Sequence, residues 1–203
     1  MGTWRKMFGP SKQEIWKQLS TEVQGRFVEG GLWKGDKVQA THGEWTVTLD
    51  TFAVSTGKAV IVFTRMRAPY VNPDGFRFTV YPRGMFSELA KKLGMQDIEI
   101  GVPSFDTSFI VKGTDASKLR ELFSDARLRE LLSAEPELQL TVKDDEGWFG
   151  PKFGDQVDEL YYAVPGILKD VEQLKRLYAL FSETLDQLCR IGSAYREAPD
   201  VVL

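Results

Sequence analysis

Residues 105–143, FDTSFIVKGTDASKLRELFSDARLRELLSAEPELQLTVK, constrain the fold most, because their apolar positions change period twice. Apolar residues alternate at both ends of the segment and recur at helical spacing between them. This pattern predicts a strand, two short helices and a second strand. The residues that carry it are Phe105, Thr107, Phe109 and Val111, then Leu119, Leu122, Phe123, Leu128, Leu131 and Leu132, then Leu138, Leu140 and Val142.

The rest of the chain predicts two longer helices and several antiparallel strands. Ser11 and Glu14 form a capping box, and apolar residues follow at four-residue steps, so a helix is predicted over residues 12–27. Alternating stretches within residues 35–80 predict strands with one buried face, and residues 167–192 predict a long helix. The fold class is therefore α+β. It combines an antiparallel-rich sheet with an N-terminal amphipathic helix, an inserted strand-helix-helix-strand unit and a long C-terminal helix.

The order of the strands is less constrained by the sequence. The continuous apolar run at residues 59–66 predicts a central strand. Strong turn residues at 72–75, Asn-Pro-Asp-Gly, would allow a hairpin with the next strand. A single domain over residues 1–203 is preferred because no linker is evident. Two subdomains, 1–103 and 104–203, are the alternative, since both halves run from strands to a helix.

The helix predicted over residues 167–192 has two interpretations. Its apolar residues step by four and three over three heptads, which is also the spacing of a coiled-coil seam. Additional leucines widen the stripe, which favours packing on a sheet. A homodimer through this helix is therefore an alternative that the pattern leaves open.

Composition excludes several classes of protein. The 203 residues carry a net charge of −3, so the chain lacks the basic excess of a nucleic-acid-binding protein. No stretch approaches the roughly 20 apolar residues of a spanning helix. With Cys189 as its single cysteine, the chain has no internal disulfide and suits a reducing compartment. A cytoplasmic protein without a membrane span is expected.

Three arginines form the candidate ligand-binding site. Arg65 and Arg67 share one face of a predicted strand, and Arg77 lies in the next strand. If the turn at residues 72–75 made a hairpin, these guanidinium groups could together hold a phosphate or a carboxylate. A charged surface face is the simpler interpretation.

The acidic and aromatic loop after the 105–143 segment is the candidate interaction surface. Its spacing does not match a calcium-binding loop, so solvated turn charges are the simpler interpretation of its carboxylates. Its aromatic residues either cap the core or form a contact surface. The residues singled out are Asp144, Asp145, Glu146, Trp148 and Phe149.

The sequence contains no evident catalytic constellation. His42 is the one histidine and lies in a predicted turn, while Cys189 lies beside the apolar stripe of the long helix. These two residues alone cannot complete a structural zinc site. No catalytic residue, metal or cofactor is therefore predicted.

Several stretches of the sequence resemble uncharacterised bacterial proteins of unknown function over residues 40–190. The stretches are HGEWTVTLDTF, TRMRAPY, GMQDIEIG, FDTSFIVKGTD, LTVKDDEGWFG and VDELYY, and FDTSFIVKGTDASKLRELF is also similar to a wider set of bacterial domains with an FD-x-x-F-x-V strand followed by a Leu/Phe helix. The resemblance implies a bacterial source and no catalytic residue.

These exclusions favour a non-enzymatic intracellular interaction or scaffold protein with an unidentified protein partner. The alternative is a small anionic-ligand binder, or an enzyme, that uses a pocket of arginines and carboxylates.

Overall fold

The computed structural model describes residues 10–31, 35–85, 96–135, 137–144, 153–201 and 203. Within these ranges the chain forms five helices and nine strands. The helices are α1 (Lys12–Glu22), α2 (Pro103–Ser108), α3 (Ala116–Leu122), α4 (Ala126–Ser133) and α5 (Val171–Arg190). The strands are β1 (Arg26–Val28), β2 (Lys37–His42), β3 (Trp45–Ser55), β4 (Val60–Val71), β5 (Phe78–Pro82), β6 (Gln96–Asp97), β7 (Phe109–Gly113), β8 (Leu140–Lys143) and β9 (Val157–Pro165).

The nine strands form one sheet in the order β1-β2-β3-β4-β9-β8-β5-β7-β6. Every neighbouring pair is antiparallel. The predicted α+β class, with an N-terminal helix and a long C-terminal helix, is confirmed. Strands from both sides of residue 103 are interleaved in this sheet, and the assignment of one or two domains stays a prediction.

The turn at residues 72–75 does not join two neighbouring strands. Strand β9 pairs with β4 from Phe63–Pro165 to Val71–Val157, and β8 then lies between β9 and β5. Between β4 and β5 the chain therefore passes over two strand positions, which β9 and β8 occupy although they come later in the sequence. Local turn residues cannot report such a pairing, because they fix only the reversal of the chain.

The helices pack on one face of the sheet and enclose a continuous hydrophobic core. Alternate residues of the central strands point into it, as Leu49, Met66 and Leu160 do. The buried indole of Trp16 on α1 donates from Nε1 to the backbone oxygen of Leu168 over 3.1 Å, which ties α1 to the segment before α5.

The N-terminal helix is shorter than predicted. Its capping box is present, since Ser11 Oγ accepts from the backbone N–H of Glu14 and the Glu14 side chain accepts from that of Ser11. The helix ends at Glu22 because Gln24 adopts a φ of 52° and Gly25 donates back to Ser20 O over 2.8 Å. The last two residues of the predicted helix, 26 and 27, instead belong to strand β1.

Residues 103–108 form helix α2, where alternation predicted a strand from residue 105. Pro103 occupies the first turn, where its missing N–H costs nothing. The carboxylate of Asp106 accepts from the backbone N–H groups of Ile100 and Gly101, both over 2.9 Å, and fixes the preceding turn. The strand begins only at Phe109, so the alternation of Phe105 and Thr107 with Phe109 was a coincidence of spacing.

Two other boundaries also differ from the sequence-based expectation. Strand β8 begins at Leu140, and Leu138 packs in the core ahead of it. Helix α5 begins after Asp170, whose carboxylate accepts from Gln173 N over 2.9 Å. Residues 167–169, with which the predicted helix begins, therefore lie outside α5.

The apolar stripe of α5 is buried within the chain, against the sheet. A homodimer through this helix stays a prediction, and it would have to use the polar side of α5. No helix in the described ranges is long and apolar enough to cross a membrane. The buried members of the stripe are Leu174, Leu177, Tyr178, Leu180, Phe181, Leu185 and Leu188.

Candidate functional site

We call the sheet face opposite the helices the outer face, and a row of polar side chains crosses it from one edge to the other. Register partners in an antiparallel pair point to the same face, so successive pairings define the row. Its central members are buried although they are polar; Arg67, for example, is 4% exposed. From β1 to β6 the row reads Arg26, Gln39, Thr48, Arg67, Tyr161, Thr141, Thr79, Lys112 and Asp97.

Neighbouring members of this row bond to each other at its two ends. Arg26 Nη2 donates to Gln39 Oε1 over 2.8 Å, and Gln39 Nε2 donates to Thr48 Oγ1 over 3.2 Å. At the other end Lys112 Nζ lies 2.9 Å from an Asp97 carboxylate oxygen. Such pairing offsets the cost of placing polar groups in a sheet interior. The row therefore joins the strands to one another.

Arg65 and Arg67 converge on the carboxylate of Asp50, next to the polar row. Arg65 donates to both carboxylate oxygens, each over 2.8 Å, and Arg67 Nη2 donates to Oδ2 over 2.6 Å. Burial raises the pKa of Asp50, but the hydrogen bond from Arg65 and the charges of Arg67 and Arg65 outweigh it and leave that pKa below 3.8. The two guanidinium groups thus hold an anion that belongs to the chain.

Arg77 lies in a different cluster. Its Nε donates to Asp158 Oδ2 over 3.1 Å, and its Nη1 donates to Asp144 Oδ2 over 2.9 Å. Asp158 lies two residues before Leu160, which points into the core, so both side chains share one face of β9 and this cluster lies on the helix side of the sheet. The structure brings Arg65 and Arg67 together and places Arg77 elsewhere. Ligand binding by the three arginines stays a prediction.

Buried polar groups surround Asp158. Asn72 Nδ2 donates to Asp158 Oδ2 over 2.6 Å and to Phe76 O over 3.0 Å. The hydroxyl of Tyr70 is buried and has no hydrogen-bond partner among the described residues. Burial, followed by the charges of Asp158 and Asp74, raises the pKa of Tyr70 well above its ordinary value. The phenol therefore stays protonated and neutral at physiological pH.

The predicted interaction loop falls largely outside the described residues. Of its five singled-out members, only Asp144 is described, and its carboxylate is the exposed partner of Arg77. Asp145, Glu146, Trp148 and Phe149 lie outside the described ranges. Their role as a contact surface stays a prediction.

His42 and Cys189 take separate structural roles. His42 ends β2 and its Nε2 lies 2.8 Å from Asp186 Oδ2 on α5, while Arg196 donates to the other oxygen of that carboxylate. The thiol of Cys189 donates to Ala194 O over 3.2 Å, and burial raises its pKa, which disfavours a reactive thiolate. Among the described residues no group of three or more His, Cys, Asp or Glu side chains could hold a metal ion.

The β3 and β4 strands extend beyond their neighbours and form a two-stranded arm, residues 52–62. Register partners of β3 in β2 end at Leu49, and register partners of β4 in β9 begin at Phe63. Four residues of the arm are apolar and exposed: Val54 by 42%, Val60 by 66%, Ile61 by 40% and Val62 by 37%.

The arm modifies the prediction that residues 59–66 form a central strand. Only the part from Phe63 onward lies between two described strands. Val60 and Ile61 have register partners in β3 alone, and Val62 O also accepts from Gly166 N over 2.8 Å. The signal was present in the sequence: TFAVSTGKAVIVFT, residues 51–64, contains one charged residue, Lys58. A continuous apolar run usually indicates a strand buried on both faces, and the arm is an exception.

Asp50 and Asp158 were also missed at the level of sequence. Each carboxylate neutralises an arginine that was singled out, yet neither is adjacent to it in the chain. Asp50 is the register partner of Arg65 across the β3–β4 hairpin, so the turn at residues 55–59 could have revealed that pair. The partnership of Asp158 with Arg77 depends on the position of β9 and has no local signal.

Comparisons with known proteins assign no function. The chain matches no protein-family model and no curated protein sequence. Among solved structures it is similar to the mycobacterial trehalose monomycolate transport factor A, TtfA, with a TM-score of 0.45 and 12% sequence identity over 94% of this chain and 98% of that chain.

Proposed function

We propose that this chain is a non-enzymatic interaction or scaffold protein that contacts another polypeptide chain through the β3–β4 arm. The observation that carries this proposal is the exposure of Val54, Val60, Ile61 and Val62 on a ribbon where β3 beyond Leu49 has no register partner in β2 and β4 before Phe63 has none in β9. Apolar area removed from water is worth about 25 cal/mol per Å², so covering these side chains is favourable.

An apolar two-stranded ribbon is also a liability for a chain that remains alone. Segments rich in β-branched residues with little charge pair readily with other chains. Residues 51–64 fit that description, since Lys58 is their only charged residue. Selection against aggregation would favour charges on this ribbon, and a binding role explains why the apolar residues remain there.

The distribution of polarity along the arm favours a protein surface over a lipid bilayer. The tip of the arm, residues 55–58, is Ser-Thr-Gly-Lys, while the exposed apolar residues lie on the two strands behind this tip. End-on insertion into a bilayer would carry the ammonium of Lys58 and unpaired backbone groups into hydrocarbon, at a high cost. A second polypeptide that lies alongside the two strands of the arm avoids this cost.

Anion binding at the arginines has less support as a function. Asp50 already binds Arg65 and Arg67, and Asp158 and Asp144 bind Arg77. An incoming anion would have to displace these carboxylates.

Photo-crosslinking from the arm tests the proposed function. A photoreactive amino acid replaces Val60 in one variant and Glu130, an exposed residue of α4, in the control, and both are irradiated in cells that naturally express the chain. We expect a discrete adduct to a second polypeptide from position 60 and none from position 130. The absence of an adduct at position 60, or equal adducts at both positions, would overturn the proposal.

A further inference from the structure

We infer that residues 196–201 and 203, which we call the strap, cover the β1–β3 part of the polar row and open while the rest of the chain stays folded. This surface is separate from the β3–β4 arm, so the inference does not rest on the proposed function. It is carried by the path of the strap, by the contacts that hold it and by the packing beneath it.

The strap passes from the helix side of the sheet to its outer face. Before it, Ala194 belongs to the hydrophobic core, and Tyr195 N donates to Val71 O over 3.1 Å at the end of β4. The residues that follow Arg196 then line a cavity together with side chains of the outer face. The cavity lies between Ala198, Pro199 and Val201 of the strap and Gln39, Thr46 and Thr48 of the sheet.

Side chains hold the strap at both ends. Arg196 Nη2 donates to Asp186 Oδ1 of α5 over 2.8 Å, and Lys37 Nζ donates to Leu203 O over 2.5 Å. Among the described residues, the hydrophobic core includes Ala194 but none of the strap, and no backbone hydrogen bond joins the strap to a strand of the sheet. Segments that bury few apolar groups and depend on exposed contacts are those that open locally.

The space beneath the strap is incompletely filled. A cavity of about 190 Å³ remains there, whereas packed interiors contain few voids larger than a water molecule, and the atoms that line a void lose dispersion contacts. The strap side of this cavity is apolar, while the sheet side carries the amide of Gln39 and the hydroxyls of Thr46 and Thr48. Closure therefore gains less than the packing of apolar side chains against each other would.

Opening leaves the covered groups of the polar row with their partners. Arg26 donates to Gln39, and Gln39 donates to Thr48, without any contribution from the strap. Release therefore costs only the contacts of the strap itself. It uncovers a surface of guanidinium, amide and hydroxyl groups, so the strap controls access to this part of the outer face.

Thiol labelling of the full-length chain tests this inference. The background is Cys189→Ser, whose hydroxyl can still donate to Ala194 O as the thiol does. Thr48→Cys then places a thiol beneath the strap, and Thr79→Cys places one at a buried position of the same row on β5. When opening and closing are fast, the labelling rate measures the population of the open state. We expect the thiol at position 48 to react at least about tenfold faster than that at position 79, because local opening needs less free energy than global unfolding.

Weakening the strap should accelerate labelling at position 48 alone. Arg196→Ala removes an exposed ion pair, so we expect a rate about two- to fivefold higher at position 48 and no change at position 79. Arg127→Ala is the matched control, because Arg127 also pairs with a carboxylate, that of Glu130, and its side chain is 60% exposed against 62% for Arg196. This control should leave both rates unchanged.

Two outcomes would overturn the inference. Equal rates at positions 48 and 79 would mean that Thr48 becomes accessible only when the whole chain unfolds. A rate at position 48 that Arg196→Ala does not change would mean that the strap does not control access. If Thr48→Cys loses the native circular dichroism spectrum, Gln39→Cys, on the neighbouring strand beneath the strap, provides the same comparison with the same two outcomes.

Discussion

Thr79 and Thr141 face each other in register across β5 and β8, yet only one of the two buried hydroxyls has an acceptor. Thr141 Oγ1 donates to Phe78 O over 3.2 Å, whereas Thr79 Oγ1 has no hydrogen-bond partner within the described part of the chain. Both residues belong to the polar row of the outer face and are nearly inaccessible to solvent, at 0% and 2%. The paired hydroxyl of Thr141 therefore stabilises the fold, whereas the unpaired hydroxyl of Thr79 destabilises it.

Replacement of each threonine by valine should separate these consequences. An unpaired buried hydroxyl costs about 1–3 kcal/mol, while a paired one contributes about 1 kcal/mol. We expect Thr79→Val to raise the free energy of unfolding by about 1 kcal/mol and Thr141→Val to lower it by a similar amount. Urea denaturation of both variants measures the difference, and a loss of stability in Thr79→Val would show that its hydroxyl has an acceptor.

The two carboxylates on Arg77 should differ strongly in their contribution to stability. Asp158 is buried and also accepts from Asn72, whereas the Asp144 side chain is 62% exposed. Removal of one partner from a buried pair costs several kcal/mol, while an exposed pair is worth about 0.2–1 kcal/mol. We expect Asp158→Ala to cost about 2–3 kcal/mol, because Arg77 remains partly solvated, and Asp144→Ala to cost less than about 1 kcal/mol.

Denaturation of the two alanine variants under the same conditions makes this comparison. Both variants remove a carboxylate from the same guanidinium, so the change in net charge is equal. Equal losses of stability would mean that burial of Asp158 adds nothing to its ion pair.

The sequence predicts those features of this fold that depend on neighbouring residues. The capping box at Ser11 and Glu14 lies where it was expected, and the two short helices within residues 105–143 form at the predicted apolar spacing. Alternation predicts strands correctly where one face meets the core. It fails at Phe105, because Pro103 and the carboxylate of Asp106 favour a helical turn over the same spacing.

The candidate sites were less predictable because they depend on strand order. Arg65 and Arg77 are close in sequence, but β9 and β8 separate β4, which carries Arg65, from β5, which Arg77 immediately precedes. A different carboxylate neutralises each arginine. The polar row is a property of register across nine strands, and register between distant strands has no local signature. The arm could not be predicted for a different reason. A continuous apolar run has the same sequence pattern whether the strand that covers it belongs to this chain or to another.

Protonation of Asp50 should contribute to acid unfolding. Its pKa in the folded chain is lowered below 3.8, after the opposing effect of burial, by the hydrogen bond from Arg65 and the charges of Arg67 and Arg65. A carboxyl group with a depressed pKa stabilises the fold above its unfolded value of about 3.9, and this contribution is lost as the pH falls through the folded pKa. The difference in unfolding free energy between the unsubstituted chain and Asp50→Asn should therefore shrink below about pH 4.

Equilibrium unfolding of both proteins between neutral pH and about pH 2 measures that difference. Asp36 and Asp74 also have lowered pKa values, but they are present in both proteins and cancel in the comparison. A difference that stays constant down to the lowest pH would show that Asp50 titrates as it does in the unfolded chain.

Gly25, in the turn between α1 and β1, is required because this turn passes close to the backbone of β2. A Cβ added at this position would lie 2.4 Å from the backbone oxygen of Gln39 and 3.1 Å from its carbonyl carbon. Backbone atoms of a paired strand cannot yield as a flexible side chain can, so Gly25→Ala should force β1 away from β2 and cost about 1–3 kcal/mol.

Gly154→Ala is the matched control, because its added Cβ meets no atom within 4 Å. That variant should be neutral or more stable by about 0.4–1 kcal/mol, since alanine restricts the unfolded chain. Thermal and urea denaturation of the two variants compare these effects, and equal stabilities would show that the turn between α1 and β1 accommodates a side chain.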